Sequence, residues 1–300
     1  MTGQPDRSGP RISPGAQLRQ LLDSGRLVAA PGAFDPFTAM IIESLGFPAV
    51  YLGGNAMGIH LGTGQPFVTL TEAVDCTLRA ERAVRCPLIV DADAGFGDPA
   101  HTHRTVREFE RARAAAIHID DQPAPKRAHY HLGKGRVTPV GEMVGKLRVA
   151  MAARTDPDFV IIGKTDALRV HSVPETLTRC AALVETGIDM LMVVDLSPAD
   201  APVFQREFPG TPLVWIGGHR GPVPSLSEIE AGGFRLAVYP FTTLAAVAQS
   251  VRAIWTTVLE QGQPGHSEEL LSQMRQHVLE LVGMQTYWEI ERETTERVSD

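Results

Sequence analysis

Two carboxylates end a short apolar run in Pro87-Leu88-Ile89-Val90-Asp91-Ala92-Asp93, and a glycine turn, Ala94-Gly95-Phe96-Gly97, follows at once. In an extended strand every second side chain shares a face, so Asp91 and Asp93 are expected to point the same way, with Cα atoms about 6–7 Å apart. Two like charges that close are costly where water is scarce unless a cation neutralises them. Carboxylate and water ligands select a hard divalent ion, Mg²⁺ or Mn²⁺ in its place. The plainer alternative has Asp91 capping a turn and Asp93 solvated. Aspartate is disfavoured inside strands, and its repetition there favours the cation.

Further polar residues recur where other apolar runs end: Asp35, Gly53-Gly54-Asn55, Asp120-Asp121-Gln122, Lys164-Thr165-Asp166, Asp195 and Gly217-Gly218-His219-Arg220. A lysine among apolar neighbours, as Lys164 is, must reach solvent or meet an anion. Gly53 and Gly54 read either as a turn or as successive N–H groups that cradle a carboxylate. The combination reads as several carboxylates around a cation, with Lys164 and Arg220 holding an anionic substrate. His101 and His103 face different sides of a helix start, so a shared metal there is not expected.

The elements that must position these groups alternate. Eight β-branched or apolar runs are read as strands, at Val28–Phe34, Ala49–Gly54, Leu88–Ala94, Ala116–Gln122, Val160–Leu168, Met190–Asp195, Leu213–Gly217 and Leu236–Pro240. Segments of helical periodicity separate them, which makes the chain α/β and predicts a TIM-type (β/α)8 barrel. Function in such a barrel lies at the carboxyl ends of the strands, where the polar residues fall. The basic, glycine-flanked segment from Ala124 to Gly135 follows the fourth strand and reads as a lid that excludes water, or as an exposed charged loop.

Composition bounds the rest. A chain of 300 residues with 43% apolar and 21% charged residues can bury a substantial core. Its net charge of -7 argues against a nucleic-acid surface. The three cysteines have no metal-ligand spacing and suit a reducing compartment. Residues 1–15 read as a flexible tail with no secretory h-region, and no apolar run approaches the roughly 20 residues of a membrane span, so a soluble, cytoplasmic protein is expected. The barrel is expected over 16–261 and a helical extension over 262–300, because helical periodicity continues beyond the one helix a barrel needs there.

These residues carry a family resemblance. Pro31-Gly32-Ala33-Phe34-Asp35, Tyr51-Leu52-Gly53-Gly54, the Asp91 to Gly97 stretch, Ile119-Asp120-Asp121-Gln122 with Pro125-Lys126-Arg127, Glu142 to Arg148, and Ile161 to Ala167 resemble the isocitrate lyase/phosphoenolpyruvate mutase superfamily, especially its methylisocitrate lyase-like branch. The resemblance covers roughly Leu18 to Trp255. It implies an (α/β)8 barrel whose last helix is exchanged between subunits of a homodimer or homotetramer. It also implies a Mg²⁺ site on Asp91 and Asp93, with Asp120 where the family usually has Glu. The implied substrate is a small 2-oxo or 2-hydroxy carboxylic acid held by Tyr51, Gly53, Gly54, Asn55, Lys126, Arg127 and Arg220, and the implied chemistry passes through a pyruvate-type enolate stabilised by the metal.

The departures concern the activity. Lyases of the family carry Lys-Arg-Cys-Gly-His in the gating loop, with the Cys as general acid, but the same register here reads Lys126-Arg127-Ala128-His129-Tyr130. The mutase loop is absent as well. The family's arginine after strand five is Lys164, and the Glu that usually ends strand six is Val194. The leading expectation is therefore a carbon–carbon lyase using Lys164 and Asp120, with His129, Tyr130 or His131 as proton donor. An oxaloacetate decarboxylase-like enzyme needs no such donor and is the alternative; a phosphonomutase-type enzyme or a non-catalytic oxo-acid-binding protein comes after it.

Overall fold

The computed structural model describes residues 12–128, 135–219 and 221–296. Eight short parallel strands close on themselves in sequence order: β1 (Val28–Ala33), β2 (Val50–Leu52), β3 (Leu88–Asp91), β4 (Ala116–Asp120), β5 (Val160–Thr165), β6 (Met190–Val193), β7 (Leu213–Ile216) and β8 (Phe234–Tyr239). Pairing of β1 with β8, Ala30 opposite Val238, completes the barrel.

Period-two alternation divides the apolar side chains into two clusters. Val28, Ala30, Tyr51, Ile89, Ala116, Val160, Ile162, Met190, Met192, Val214, Leu236 and Val238 form the interior cluster. Their neighbours, among them Leu52, Val90, Ile117, Ile161, Leu191 and Trp215, pack in the outer cluster with helix residues such as Phe109, Leu147 and Phe204. The strands are apolar on both faces because both are covered.

The helices are α1 (Pro14–Asp23), α2 (Pro36–Ser44), α3 (Gly54–His60), α4 (Leu70–Ala83), α5 (Pro99–Arg111), α6 (Val140–Ala153), α7 (Val173–Val184), α8 (Ala201–Glu207), α9 (Leu226–Ala231), α10 (Thr242–Gln261), α11 (Glu268–Leu281) and α12 (Met284–Glu293). Reciprocal capping boxes start α4 at Thr69 with Glu72, α7 at Ser172 with Glu175 and α9 at Ser225 with Glu228. Helix α1, capped by Ser13, inserts the fully buried Leu18 into the interior cluster beside Ala49 and Val160 and so closes the end where the strands begin. It starts at Pro14, inside the stretch read as tail.

Two local expectations are corrected. Strand β3 stops at Asp91, and Asp93 lies beyond it with φ 51°, a left-handed conformation that aspartate tolerates. Strand alternation therefore does not aim Asp93. The Gly53-Gly54-Asn55 segment is the start of α3, with Gly53 at its N-cap, a helix hidden in the sequence by its glycines.

By contacts the chain separates into Ile12–Ala245 and a unit that begins at Ala246. The latter holds the rest of α10 with α11 and α12, and its Trp255, Leu259, Leu271, Tyr287 and Trp288 are exposed. No helix among the described residues is long and apolar enough to cross a membrane.

Candidate active site

At the carboxyl ends of the strands the interior positions of β3, β4 and β5 change from apolar to charged. Asp91, Asp120 and Lys164 continue the inward alternation that begins with Ile89, Ala116 and Ile162, and all three are buried. Ligand atoms of Asp91, His118 and Asp120 lie within 4.8 Å of one another. Each carboxylate is held firmly. Asp91 Oδ2 accepts the Gly54 N–H at 3.0 Å and Gln65 Nε2 at 3.1 Å, and its Oδ1 accepts the Asp93 N–H at 2.9 Å. A Cβ on Gly54 would come within 2.9 Å of Asp91 Oδ2, so this approach requires glycine. The Gly54 amide thus orients a carboxylate of the protein, and Gly54 also lines the cavity.

The turn after β3 is fixed from the next strand. The Asp120 N–H donates to the Asp93 carbonyl at 2.7 Å and the Ala92 N–H to the His118 carbonyl at 3.0 Å. The buried Lys146 of α6 donates to the Ala94 carbonyl at 3.2 Å. Asp93 therefore reaches the carboxylate cluster through the turn. Lys126 Nζ lies 3.2 Å from Asp93 Oδ2 and 2.9 Å from Asp120 Oδ2, and Lys164 Nζ reaches the same Asp120 oxygen at 2.8 Å.

His118 is committed at both ring nitrogens, Nε2 to Tyr51 Oη at 2.8 Å and Nδ1 to Asp120 Oδ1 at 3.1 Å. Among the described residues, Asp91, His118 and Asp120 are the group placed to offer ligands to one ion, and Asp93 joins them through Lys126. The buried carboxylates of Asp91 and Asp120, with Asp93 beside them and two ammonium groups offsetting their charge, supply oxygen donors of the kind a hard divalent cation takes.

Electrostatics agree. Burial alone would raise the Asp91 carboxyl, but His118 and then Lys164 and Lys126 hold it below the usual range. Against the same burial, Lys126 and Lys164 hold Asp120 well below. Burial pushes Asp93 up, with Lys126 opposing.

A cavity of about 290 Å³ opens against this cluster. Its lining is polar at Tyr51, Asn55, Gln65, Asp91, Lys164, Arg169 and His219 and apolar at Val194, Ile216, Pro240 and Phe241. Arg169 ion-pairs with Asp195 at 2.8 Å and with Asp166 at 3.1 Å. Behind the wall, Asp121 accepts from Arg179 Nε at 2.7 Å and from the Asp166 N–H at 3.0 Å.

Of the residues expected from sequence, Tyr51, Gly54, Asn55, Asp91, Asp93, Asp120, Lys126 and Lys164 meet at the cluster or its cavity. Gly53 stands beside them as the cap of α3. Arg127 is exposed and lies outside the cavity lining. His129, Tyr130, His131 and Arg220 fall outside the described residues. Sequence reading missed His118, Gln65 and Arg169. His118 carries a signal, since it stands two residues before Asp120 on the same strand face; Gln65, on a loop beyond α3, carries none.

The family model described as Phosphoenolpyruvate phosphomutase matches residues 18–259. The chain is an enzyme of the isocitrate lyase/phosphoenolpyruvate mutase superfamily. It is 36% identical to 2,3-dimethylmalate lyase of Eubacterium barkeri over 251 residues, covering 81% of this chain and 85% of that protein. With 2-methylisocitrate lyase of Aeropyrum pernix the identity is 33% over 299 residues, covering 97% and 94%. An oxaloacetate decarboxylase of Bradyrhizobium is 31% identical over 237 residues, covering 78% and 81%. The resemblance read from sequence motifs holds, and so does the barrel it implied.

Proposed function

We propose that this superfamily member is a Mg²⁺-dependent carbon–carbon lyase that cleaves a small 2-hydroxy carboxylic acid to a 2-oxo acid of pyruvate type. The observation that carries the reading is the buried cluster of Asp91, Asp120 and Lys164 at the carboxyl ends of the strands, joined by Asp93 through Lys126, beside a cavity that Asp91 and Lys164 line. The names of the lyase relatives support it.

Asp91, Asp93 and Asp120 would hold the cation, which would supply stabilisation of negative charge as it develops on substrate oxygen. Lys164 places a fixed positive charge beside the substrate carboxylate. Tyr51 Oη, hydrogen-bonded to His118 Nε2, lines the cavity and takes the proton of the substrate hydroxyl as its own proton passes to His118 Nε2. The C2–C3 bond then breaks: C2 becomes the carbonyl, and the electron pair leaves with C3 as an enolate-like carboxylate. That carbon needs a proton. We assign its delivery to His129 or Tyr130, because Ala128 stands where the family's acidic cysteine is expected.

A second reading, decarboxylation of oxaloacetate, is favoured by Ala128 and by the Bradyrhizobium relative. There the leaving group is carbon dioxide, the enolate is that of pyruvate itself, and no loop acid is needed to release the product.

Pyruvate release from 2,3-dimethylmalate, 2-methylisocitrate and oxaloacetate, each with Mg²⁺ and with Asp91→Asn as the control, tests the proposal. Release that disappears in the variant supports it, and the substrate used decides between the two readings. The exposed apolar residues of α10 to α12 support assembly into a homo-oligomer through these helices.

A further inference from the structure

The interior residues at the carboxyl ends of six strands, β3 to β8, divide into two sets. On β3, β4 and β5 they are Asp91, Asp120 and Lys164. Beyond β6, on β7 and beyond β8 they are Val194, Ile216 and Pro240, and Phe241 extends the apolar side of the same cavity. This follows from the alternation: Met190 and Met192 lead to Val194, Val214 leads to Ile216, and Leu236 and Val238 lead to Pro240.

Two Lys or Arg side chains among the described residues line the cavity: Lys164, the cation for the reacting carboxylate, and Arg169, already paired. Lys164 is bound to Asp120 at 2.8 Å, and Arg169 is bound to Asp195 at 2.8 Å and Asp166 at 3.1 Å. A substrate whose reacting carboxylate lies against β3 to β5 therefore presents its remaining substituent to Val194, Ile216 and Phe241. A further carboxylate placed against Val194, Ile216 and Phe241 would lose water with no polar group on those three side chains to bond. An alkyl or aryl group would bury apolar surface. At about 30 Å³ per water-sized volume, the 290 Å³ cavity has room for such a substituent beside a three-carbon acid.

We propose that the substrate carries an apolar substituent beyond the reacting carbons, where a tricarboxylate carries its third acid group, and that Val194, Ile216 and Phe241 select it. The proposal rests on the 2-hydroxy acid reading above only for which end of the ligand anchors at the carboxylate cluster.

Two malates that differ in one substituent test it. 3-Isopropylmalate carries an alkyl group where isocitrate carries a carboxymethyl group. Binding of malate, 3-methylmalate, 3-isopropylmalate, isocitrate and oxalate is measured by calorimetry on the Mg²⁺-loaded full-length protein, so that turnover is not required. Burial of each added carbon strengthens binding up to about fourfold. 3-Isopropylmalate is thus expected to bind at least tenfold tighter than malate, and isocitrate no tighter than malate. In Ile216→Ser, and independently in Phe241→Ala, the ratio of 3-isopropylmalate to malate affinity is expected to fall at least threefold. Isocitrate binding as tightly as 3-isopropylmalate, or a ratio unmoved in both variants, overturns the selection of an apolar substituent while leaving the lyase reading intact. Failure of every malate and of oxalate to bind overturns the lyase reading and this proposal with it.

Discussion

Lys164 stands directly across from Asp120 in the β4–β5 register, and its Nζ meets Asp120 Oδ2 at 2.8 Å. Lys126 approaches the same oxygen at 2.9 Å from the segment after β4. One buried carboxylate is thus shared by a strand lysine and a loop lysine, and both ammonium groups sit where substrate charge must be met. Replacing a preorganised charge of this kind costs about 10²–10³ in kcat. Lys164→Met is expected to lose that much, read as steady-state pyruvate release; a loss under tenfold would show that Lys164 serves only to neutralise Asp120.

The donors around Asp91 make it the most tightly oriented of the three carboxylates. Asp91→Asn keeps the shape and removes the charge, and Mn²⁺ affinity followed by electron paramagnetic resonance should fall by more than tenfold. Tyr51→Phe removes the hydroxyl bonded to His118 Nε2 and the proton acceptor with it, and a loss of about 10²–10⁴-fold in pyruvate release is expected. Unchanged metal affinity in Asp91→Asn would place the ion elsewhere.

Asp93 yields a stability prediction with a definite sign. Burial raises its carboxyl above the ordinary value, so the folded chain binds this proton more tightly than the unfolded chain. Its contribution favours the fold below the unfolded value of about 3.9 and becomes a cost as pH rises through the raised value. In chelator at pH 8, Asp93→Asn should melt above the wild type, and the difference should close near pH 4. Added Mg²⁺ should raise the melting temperature of the wild type more than that of the variant. A variant that melts lower at pH 8 would mean that the Lys126 contact outweighs burial.

Behind the cavity wall, Arg179 is the cation for the buried Asp121 and also donates to the Thr138 carbonyl. Arg179→Met leaves a buried carboxylate without its charge partner, at a cost of roughly 3–5 kcal/mol. Urea unfolding should show that loss as a lower midpoint with an unchanged slope.

The barrel and its polar end were legible because both depend on short-range pattern: eight apolar runs, period-two alternation, and charge at each run's end. The cluster of Asp91, Asp120 and Lys164 is readable in that way, and His118 should have been, two residues from Asp120. Asp93 reached the cluster for another reason. Its left-handed turn is set by hydrogen bonds from β4 and by Lys146, contacts that no local pattern encodes. Helix α3 was hidden because helix propensity is weak at Gly53-Gly54, and what fixes that segment is the approach of Gly54 to Asp91. Gln65 was invisible for the same reason, since only tertiary packing brings it to the carboxylate.

The account's central claim is that Asp91, Asp93 and Asp120 form a metal-dependent lyase centre. Its most direct test is pyruvate release from 2,3-dimethylmalate and oxaloacetate with Mg²⁺, in wild type and in Asp91→Asn. The account predicts release that requires both the metal and Asp91, reduced at least 100-fold in the variant. Equal release from wild type and Asp91→Asn, or none from either substrate by a Mg²⁺-loaded wild type, would contradict it.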